Sequence, residues 1–454
     1  MTAPKILHAD ACVIGAGAGG IGCVYHLLKG GASVVVVDKN PDFGGTAVFS
    51  GVDGWEPGVS LDGIHTLLYE EMRSMEGGCH VVESVPNCKL LDPEHGDDWR
   101  YHSFEAYPWG LAMASDLPYE ATLGRCTSIR GDGSMKRLQF EPTAYCHAVH
   151  RVLMAYEDRL VSLFSHTYKG CTVENGRLTS VTVTGKEGDV KIYASYFVDA
   201  TGDILLARDA GCAFTIGSEG REVYDEPSAG EGSDRINAVT YVFRIAKSEK
   251  SDNIDVIPPE YADVELGEWQ KEAMPRTVSC FVEYPSGDIN VNMLPTMQGN
   301  EYLALGESAD RIGRARVWAY WHYLQTKKGM KGYTLVRIYD AGIRESYRLI
   351  GRYVLKEQDL RLGMLRRPKL ERTIAIADHA LDIHGDSGMC KELVYPYEIP
   401  LSCAQTREYD NLLVACRGAS FSHIAASSVR LTRTMLSFGE GVGAYIAEKI
   451  AEQT

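Results

Sequence analysis

The run A-C-V-I-G-A-G-A-G-G-I-G at residues 11–22 constrains the fold more than any other part of this chain. An apolar stretch, a glycine cluster and then apolar residues at helical spacing predict a strand, a tight turn and a helix. Gly15, Gly17 and Gly20 supply the turn, the close approach of backbone to a pyrophosphate, and helix–strand packing. The pattern predicts a dinucleotide at the helix N-terminus, with Ala18 and Gly19 in the same loop.

An acidic residue follows at the distance that this fingerprint requires. Residues 33–37, S-V-V-V-V, predict a buried parallel strand that ends at Asp38, 18 residues beyond Gly20. A carboxylate there, with Lys39 beside it, would accept hydrogen bonds from a ribose hydroxyl and repel a 2′-phosphate. An ordinary βαβ unit with a surface aspartate is the alternative, but the five features together favour dinucleotide binding.

Composition excludes several classes of protein. The net charge is 46 − 61 = −15 without a basic tract, which disfavours binding to nucleic acid or to anionic lipid. No apolar stretch has the roughly 18 residues of a membrane span. The twelve cysteines form no C-x-x-C, which argues against an iron–sulfur cluster or a zinc ribbon. With no signal segment visible we expect a cytoplasmic protein, and the oligomeric state stays open.

A second predicted strand, residues 191–198, runs directly into D-A-T-G-D at residues 199–203. Thr201, Gly202 and Asp203 would lie at the carboxyl edge of the sheet, where open α/β sheets bind ligands. Capping of a following helix by Thr201 or Asp203 is the alternative, and the two roles are compatible. Upstream, an Asn-Gly turn within residues 172–184 predicts a β-hairpin.

The chain resembles the bacterial FAD-dependent oxidoreductases of the glutathione-reductase-like superfamily over nearly its whole length. The resemblance is carried by the glycine motif at Gly15, V-D-A-T-G-D at Val198, I-R-E-S at Ile343 and N-L-L-V-A-C-R at Asn411. It implies a soluble enzyme with non-covalent FAD that transfers a hydride between flavin N5 and a small polar substrate. An NAD(P)H-using monooxygenase and a non-catalytic flavin-binding protein are the alternatives.

By this resemblance the fold is α/β. A discontinuous Rossmann-like FAD-binding domain, with a parallel sheet and a β-hairpin layer, would comprise residues 1–216 and 332–454. An α+β substrate or cap domain would occupy residues 217–331 between them. In such proteins a Gly-Gly after the acidic residue returns the chain over the flavin diphosphate, and this favours FAD over NAD. The remaining residues expected at the cofactor are Gly44, Gly45, Thr46, Arg417, Gly441, Val442 and Gly443.

Three residues of the C-terminal third are candidates for catalysis. His423 follows the predicted last strand, and a histidine pKa near neutrality suits removal of a proton as hydride leaves. Arg344 would bind substrate or, with Glu345, form an interdomain salt bridge; the family has a further arginine where Tyr347 stands. Arg430 would hold an anionic substrate or the reduced flavin. His423 as a structural histidine is the alternative.

Two further patterns lead to predictions, one about the start of the final helix and one about a pair of histidines. The glycines of residues 439–443 predict the start of the final helix, with its N–H groups at the flavin; tight helix packing is the alternative. His379 and His384 are five residues apart, which does not place them on one helix face. We therefore expect them to be solvated or hydrogen-bonded, and the sequence predicts no metal site.

Overall fold

The computed structural model describes residues 4–59, 62–85, 111–123, 136–385 and 388–453. Within these ranges the strands are β1 (Lys5–Ile14), β2 (Val34–Asp38), β3 (Gly54–Trp55), β4 (Cys79–Val85), β5 (Leu111–Ala114), β6 (Lys136–Phe140), β7 (Leu160–Phe164), β8 (Thr167–Glu174), β9 (Arg177–Gly185), β10 (Gly188–Asp199), β11 (Phe214–Thr215), β12 (Val242–Lys247), β13 (Val278–Glu283), β14 (Ile289–Leu294), β15 (Tyr333–Ile338), β16 (Arg348–Leu349), β17 (Thr373–Ala377), β18 (Leu381–Ile383), β19 (Met389–Lys391), β20 (Tyr397–Pro400) and β21 (Leu412–Val414).

The α-helices of the same ranges are α1 (Ala18–Lys29), α2 (Thr46–Phe49), α3 (Ile64–Arg73), α4 (Pro142–Met154), α5 (Leu205–Asp209), α6 (Arg221–Tyr224), α7 (Pro259–Ala262), α8 (Gly299–Leu305), α9 (Ala309–Lys327), α10 (Glu357–Leu362), α11 (His423–Val429) and α12 (Thr432–Ala451). None of the described helices is both long enough and apolar enough to cross a bilayer.

The first sheet is the predicted dinucleotide-binding sheet. Its strands lie in the order β7-β2-β1-β10-β9-β8. β1 runs parallel to β2 and to β10, and β21 runs parallel to the C-terminal part of β10, whose N-terminal part pairs antiparallel with β9. The carboxyl ends of β1, β2, β10 and β21 therefore meet at one edge of the sheet, which is where such sheets bind ligands. The β-hairpin predicted from the Asn-Gly turn is β8–β9.

The final helix packs directly against the first helix, and glycines make this contact possible. α12 begins at Thr432, so Gly441 and Gly443 lie in its interior. A Cβ atom at Gly439 would clash with the backbone of Gly19 in α1, and one at Gly443 would lie 2.5 Å from the carbonyl oxygen of Cys23. The prediction that residues 439–443 open the helix is wrong, because these glycines serve close packing of two helices.

The second sheet has eight strands in the order β15-β12-β14-β13-β5-β4-β6-β3. Four of these strands come from residues 54–140 and four from residues 242–338. α9 packs on the sheet and buries Tyr320 and Trp321 in a core with Phe243. The predicted cap segment, residues 217–331, contributes β12, β13 and β14 to a sheet that also draws on earlier residues. The exact division of the chain into domains stays a prediction.

Candidate functional site

A cleft of about 400 Å³ runs from the carboxyl edge of the first sheet to the face of the second. Most of the predicted site residues line it: Gly15, Gly17, Ala18, Gly19, Asp38, Lys39, Gly45, Thr46, Thr201, Gly202, Asp203, Arg344, Arg417 and Arg430. The cleft-lining set does not include Gly20, Gly44, Gly441, Val442, Gly443 or His423. The structure thus brings together residues that are up to 415 positions apart, Gly15 and Arg430.

The glycine loop has the geometry of a phosphate cradle. Gly15 has φ of +109°, where a side chain would be strained, and a Cβ atom at Gly20 would clash with the carbonyl of Gly15. At Gly17 the nearest atom to such a Cβ would be Cα of Gly45, 3.8 Å away, so this glycine faces the open cleft. α1 begins at the next residue with no side-chain cap. Its first N–H groups have no side-chain cap and lie at the cleft, as a phosphate site requires.

Asp38 ends β2 as predicted and lines this end of the cleft. Its carboxylate accepts hydrogen bonds from the backbone N–H of Ala16, at 2.6 Å, and of Asn40, at 2.8 Å. Burial raises its pKa. The Gly-Gly pair also returns to this loop, since the N–H of Gly44 donates to the carbonyl of Ala16 at 2.9 Å. Gly44 and Gly20 thus shape the cradle without lining it.

The end of β10 both caps a helix and lines the cleft. The carboxylate of Asp199 accepts from the N–H of Thr201 at 3.0 Å and from the N–H of Ala207, in α5, at 2.9 Å. Asp203 instead forms an ion pair with Arg417, at 3.0 Å. Oγ1 of Thr201 accepts the N–H of Leu205, the first residue of α5, at 3.0 Å, so the capping alternative is correct for Thr201. Ligand binding by residues 201–203 stays a prediction, and the Asp203–Arg417 ion pair joins the loops that follow β10 and β21.

The far end of the cleft is polar and contains two histidine–carboxylate pairs. Nε2 of His379 lies 3.2 Å from Oε2 of Glu56, and Nε2 of His384 lies 2.7 Å from Oδ2 of Asp382. Arg430 contacts the same Asp382 oxygen at 3.0 Å. All five side chains line the cleft. The expectation of hydrogen-bonded histidines is correct, but the sequence did not indicate that they face the same cleft as the glycine loop.

The contacts of His379 require a hydrogen on both of its ring nitrogens. Nδ1 of His379 lies 2.9 Å from the carbonyl of Ala380, an acceptor, so this nitrogen carries hydrogen. Nε2 faces the Glu56 carboxylate, which is also an acceptor, so Nε2 must carry a hydrogen too. A neutral imidazole has only one N–H, so the pair needs one further proton. Burial alone would lower the pKa of His379, but the hydrogen bond and charge of Glu56 raise it overall. The charge of His379 in turn outweighs burial and lowers the pKa of Glu56.

In the His384–Asp382 pair the pKa of both members is lowered. Burial lowers the pKa of His384 in spite of the neighbouring Asp382. His384 and Arg430 hold the pKa of Asp382 well below its usual range against the effect of burial. Asp382 is thus a carboxylate that fixes the orientation of both neighbours. The described residues contain no group of three or more side chains suited to hold a metal ion.

His423 is not among the residues that line the cleft. It is the first residue of α11, which Ser422 caps by accepting the N–H of Ala425. Nδ1 of His423 lies 2.9 Å from Oε2 of Glu345, and Arg348 contacts the same carboxylate from within the core. The structure therefore gives His423 a buried ion-pair partner rather than a place in the cleft. Of the I-R-E-S pair, Glu345 belongs to this network.

Arg344 lines the cleft and is held by the segment that leads into β12. Its Nη1 donates to the carbonyl of Ala238 at 2.9 Å and to Oγ1 of Thr240 at 2.6 Å. Tyr347, where the family has arginine, lies under the guanidinium of Arg208, 3.4 Å from the ring centroid. Tyr347 therefore packs against α5 and is not among the residues that line the cleft.

The residues present fit FAD. Gly17 leaves open the space that a side chain would fill, the N-terminus of α1 faces the cleft, and Asp38 lies beside it. Residues 10–454 match the family described as FAD dependent oxidoreductase. The chain belongs to this family and is an FAD-dependent enzyme. A search of curated proteins found no match.

Several solved structures are similar to this chain at low identity. A geranylgeranyl bacteriochlorophyll reductase-like protein from Thermoplasma acidophilum is 12% identical, with a TM-score of 0.49, 99% of this chain covered and 80% of that one. L-amino acid deaminase from Proteus myxofaciens is 12% identical, with a TM-score of 0.44 and coverages of 100% and 92%. A flavin-dependent brominase is 12% identical, with a TM-score of 0.46 and coverages of 98% and 82%.

Proposed function

We propose that this enzyme transfers a hydride between flavin N5 and a carbon of a small polar substrate bound at the far end of the cleft. The observation that carries the proposal is the continuity of the cleft, which joins the glycine loop to the two histidine–carboxylate pairs. FAD, when bound, supplies the hydride acceptor or donor. Residues 217–331 would cover the substrate as part of a cap domain.

The residues that would hold FAD are those of the cradle. The N–H groups at the start of α1, next to Gly17, would bind the pyrophosphate, and Asp38 would accept the ribose hydroxyls. Thr201 and Arg417 would line the same end. At the start of α12, Thr432 and Thr434 would bring the positive end of a helix dipole to the cofactor.

The His379–Glu56 pair would exchange the proton that accompanies hydride transfer. Glu56 is the partly exposed member, with 24% of its side chain accessible against 3% for His379. Its carboxylate would take a hydroxyl proton from the substrate, and the His379 imidazolium would stabilise the carboxylate before transfer. Arg344 and Arg430 would orient the substrate. His423, which lies outside the cleft, has no part in this proposal.

Anaerobic single-turnover spectroscopy tests the proposal. FAD-loaded enzyme is mixed with candidate alcohols, amines and hydroxy acids, and the oxidised-flavin absorbance is followed. We expect one class to bleach the flavin at a rate that depends on substrate concentration. Flavin that is reduced only by NAD(P)H, with oxygen consumed in proportion, would instead support a monooxygenase. A flavin that none of these compounds nor a chemical reductant can reduce would overturn the proposal.

A further inference from the structure

Two neighbouring turns on the surface carry five exposed apolar residues, here called the apolar patch. Each of them is between 40% and 62% exposed: Leu362, Met364, Leu365, Val394 and Tyr395. Three lie at the end of α10 and in the turn that follows it, and two lie just before β20. Single exposed apolar residues are common, whereas a contiguous group of them marks a surface that binds a partner.

Direct contacts between the two turns make the apolar patch continuous. The N–H of Met364 donates to the carbonyl of Pro396 at 2.8 Å. Gly363 has φ of +51°, and a Cβ atom there would lie 2.8 Å from Cβ of Tyr395. A residue without a side chain allows the turns to approach this closely. The apolar patch is therefore one surface built from two separate parts of the chain.

Four cations of the same segment flank the apolar patch: Arg361, Arg366, Arg367 and Lys369. Nη1 of Arg367 donates to the carbonyl of Met364 at 3.1 Å, which places this guanidinium against the patch. Arg367 is exposed, and among the described residues it donates only to the backbone carbonyls of Met364 and Arg366. No carboxylate in this part of the protein therefore neutralises its charge.

The other three cations are paired with carboxylates that lie deeper in the protein. The accessible fractions of the side chains are 40% for Arg361 and 0% for Glu357, 22% for Arg366 and 4% for Asp359, and 41% for Lys369 and 14% for Glu398. In each pair the cation is the member nearer to solvent. An approaching surface meets positive charge first, and the nearest charges dominate because salt screens interactions over about 8 Å. The total charge of −15, which disfavours anionic lipid for the chain as a whole, is therefore not the charge that this surface presents.

Exposed acidic residues do not reverse this sign. Glu371 and Glu392 are exposed in the same two segments, and each is next to an exposed cation, Arg372 or Lys391. The two turns thus combine apolar side chains with an excess of outward positive charge. Charge and apolar area together are what a peripheral protein uses to bind an anionic membrane surface.

We infer that the apolar patch and its flanking cations dock the enzyme on an anionic lipid bilayer. The apolar side chains would enter the boundary between headgroups and acyl chains, with the Tyr395 ring at the interface and the cations on the lipid phosphates. A bilayer fits this surface better than a folded protein does. Protein interfaces take about 20–30 residues from each side, and the patch with its cations supplies fewer than half of that number. In a bilayer each buried apolar side chain adds to binding by itself.

Co-sedimentation of the FAD-loaded enzyme with lipid vesicles tests the inference. The probes are vesicles of phosphatidylcholine alone and vesicles that also contain about 30% phosphatidylglycerol, each at low salt and at about 0.5 M NaCl. We expect the enzyme to partition into the anionic vesicles at low salt. Partition should be roughly tenfold weaker or less for phosphatidylcholine alone, and it should fall similarly at high salt.

Substitutions in the apolar patch locate the binding surface. Leu365→Ser combined with Val394→Ser should lower the partition coefficient roughly tenfold or more, because two apolar side chains no longer enter the bilayer. Met154→Ser combined with Val256→Ser is the matched control, since both residues are at least as exposed but lie elsewhere. The control should bind vesicles as the unmodified enzyme does.

A charge reversal tests the electrostatic part separately. Arg367→Glu should weaken binding to the anionic vesicles roughly tenfold. Lys186→Glu, at an exposed position in the turn between β9 and β10, makes the same change of charge elsewhere and should leave binding nearly unchanged.

Three results would overturn the inference. The first is an unmodified enzyme that does not partition into anionic vesicles, or that binds phosphatidylcholine equally well. The second is full vesicle binding by the Leu365→Ser, Val394→Ser variant, which would place the lipid-binding surface elsewhere. The third is a dimer in analytical ultracentrifugation that these two substitutions abolish, without vesicle binding, which would assign the patch to a second copy of the chain. Should the serine variant lose its thermal transition, Arg367→Glu and the salt dependence still decide the matter.

Discussion

Nδ1 of His423 lies 2.9 Å from the carboxylate of Glu345, and Arg348 contacts that carboxylate at the same time. Arg348 is fully buried and also reaches Glu219. These four residues join three segments of the chain: the loop before α6, the segment before β16 and the start of α11. The ion-pair network therefore holds the loop before α6 against β16 and the start of α11.

Glu345→Gln is expected to destabilise the protein. Burial alone would raise the pKa of Glu345, but His423 and Arg348 lower it to about 2. Removing the charge leaves Arg348 incompletely compensated in the core, at a cost of about 3 kcal/mol in the free energy of unfolding. Urea denaturation at pH 7 measures it, with exposed Glu249→Gln as control. Because the folded pKa lies below that of the unfolded chain, the stabilisation is present above pH 4.5 and lost as the pH falls towards 2.

Gly17→Ala should separate cofactor binding from folding. The added methyl group has only Cα of Gly45 within 4 Å, so the thermal midpoint of the FAD-free protein should be unchanged. The same methyl group would obstruct a pyrophosphate, and the dissociation constant for FAD should rise roughly tenfold or more. Fluorescence titration with FAD measures this rise. Gly230→Ala, in open space elsewhere, serves as control, and normal FAD affinity in Gly17→Ala would argue against the cradle.

Gly439→Ala is expected to act through the contact between α1 and α12. Its Cβ atom would clash with the backbone of Gly19, and neither helix can yield without moving the other. Overpacking of this kind costs about 1–3 kcal/mol. The loss should appear in the FAD-free protein as well as in the holoenzyme, unlike that of Gly17→Ala. Equal stability of Gly439→Ala and the unmodified chain would contradict the packing role.

Glu440→Gln should change how stability depends on pH. Burial raises the pKa of Glu440 to about 7, and the N–H of Ile64, at 3.2 Å, compensates only in part. The folded state therefore binds more protons than the unfolded state between pH 4.5 and 7, so stability falls as the pH rises through this window. The glutamine variant lacks this loss, which is on the order of 3 kcal/mol. Thermal midpoints at pH 5 and pH 8 measure it; parallel curves would refute the assignment.

Glu56→Gln and His379→Asn test the proton-exchanging pair. Either change removes the pairing of imidazolium and carboxylate, and we expect flavin reduction in single turnover to slow by roughly 10²- to 10⁴-fold. FAD affinity should be unchanged, because neither residue belongs to the cradle. In the unmodified enzyme the rate should fall as the pH drops far enough to protonate Glu56, whose pKa is lowered. A rate of flavin reduction that neither substitution alters would exclude the pair.

Features that depend on local backbone could be predicted from the sequence. Gly15 needs a positive φ, Gly17 needs open space, and Asp38 ends a buried strand. Each of these requirements determines the residue type at its own position, so it is visible in a short stretch of sequence. The D-A-T-G-D segment was found for the same reason.

Features that depend on distant packing could not be predicted. Glu56 meets His379 only because the irregular segment after β3 crosses to the loop before β18. His423 follows the last strand as expected, but the cap at Ser422 starts a helix there and turns the imidazole towards Glu345. The glycines at residues 439–443 suit a helix start and a helix contact equally, and only the position of α1 decides between them.

The contact of α12 with α1 has a consequence for synthesis of the protein. α1 carries the cofactor cradle, yet the surface it packs against, α12, is translated long after it. Residues 18–29 must therefore wait, with an apolar face uncovered, until residues 432–451 have left the ribosome. A chain that stalls before residue 432 therefore lacks the helix that covers α1.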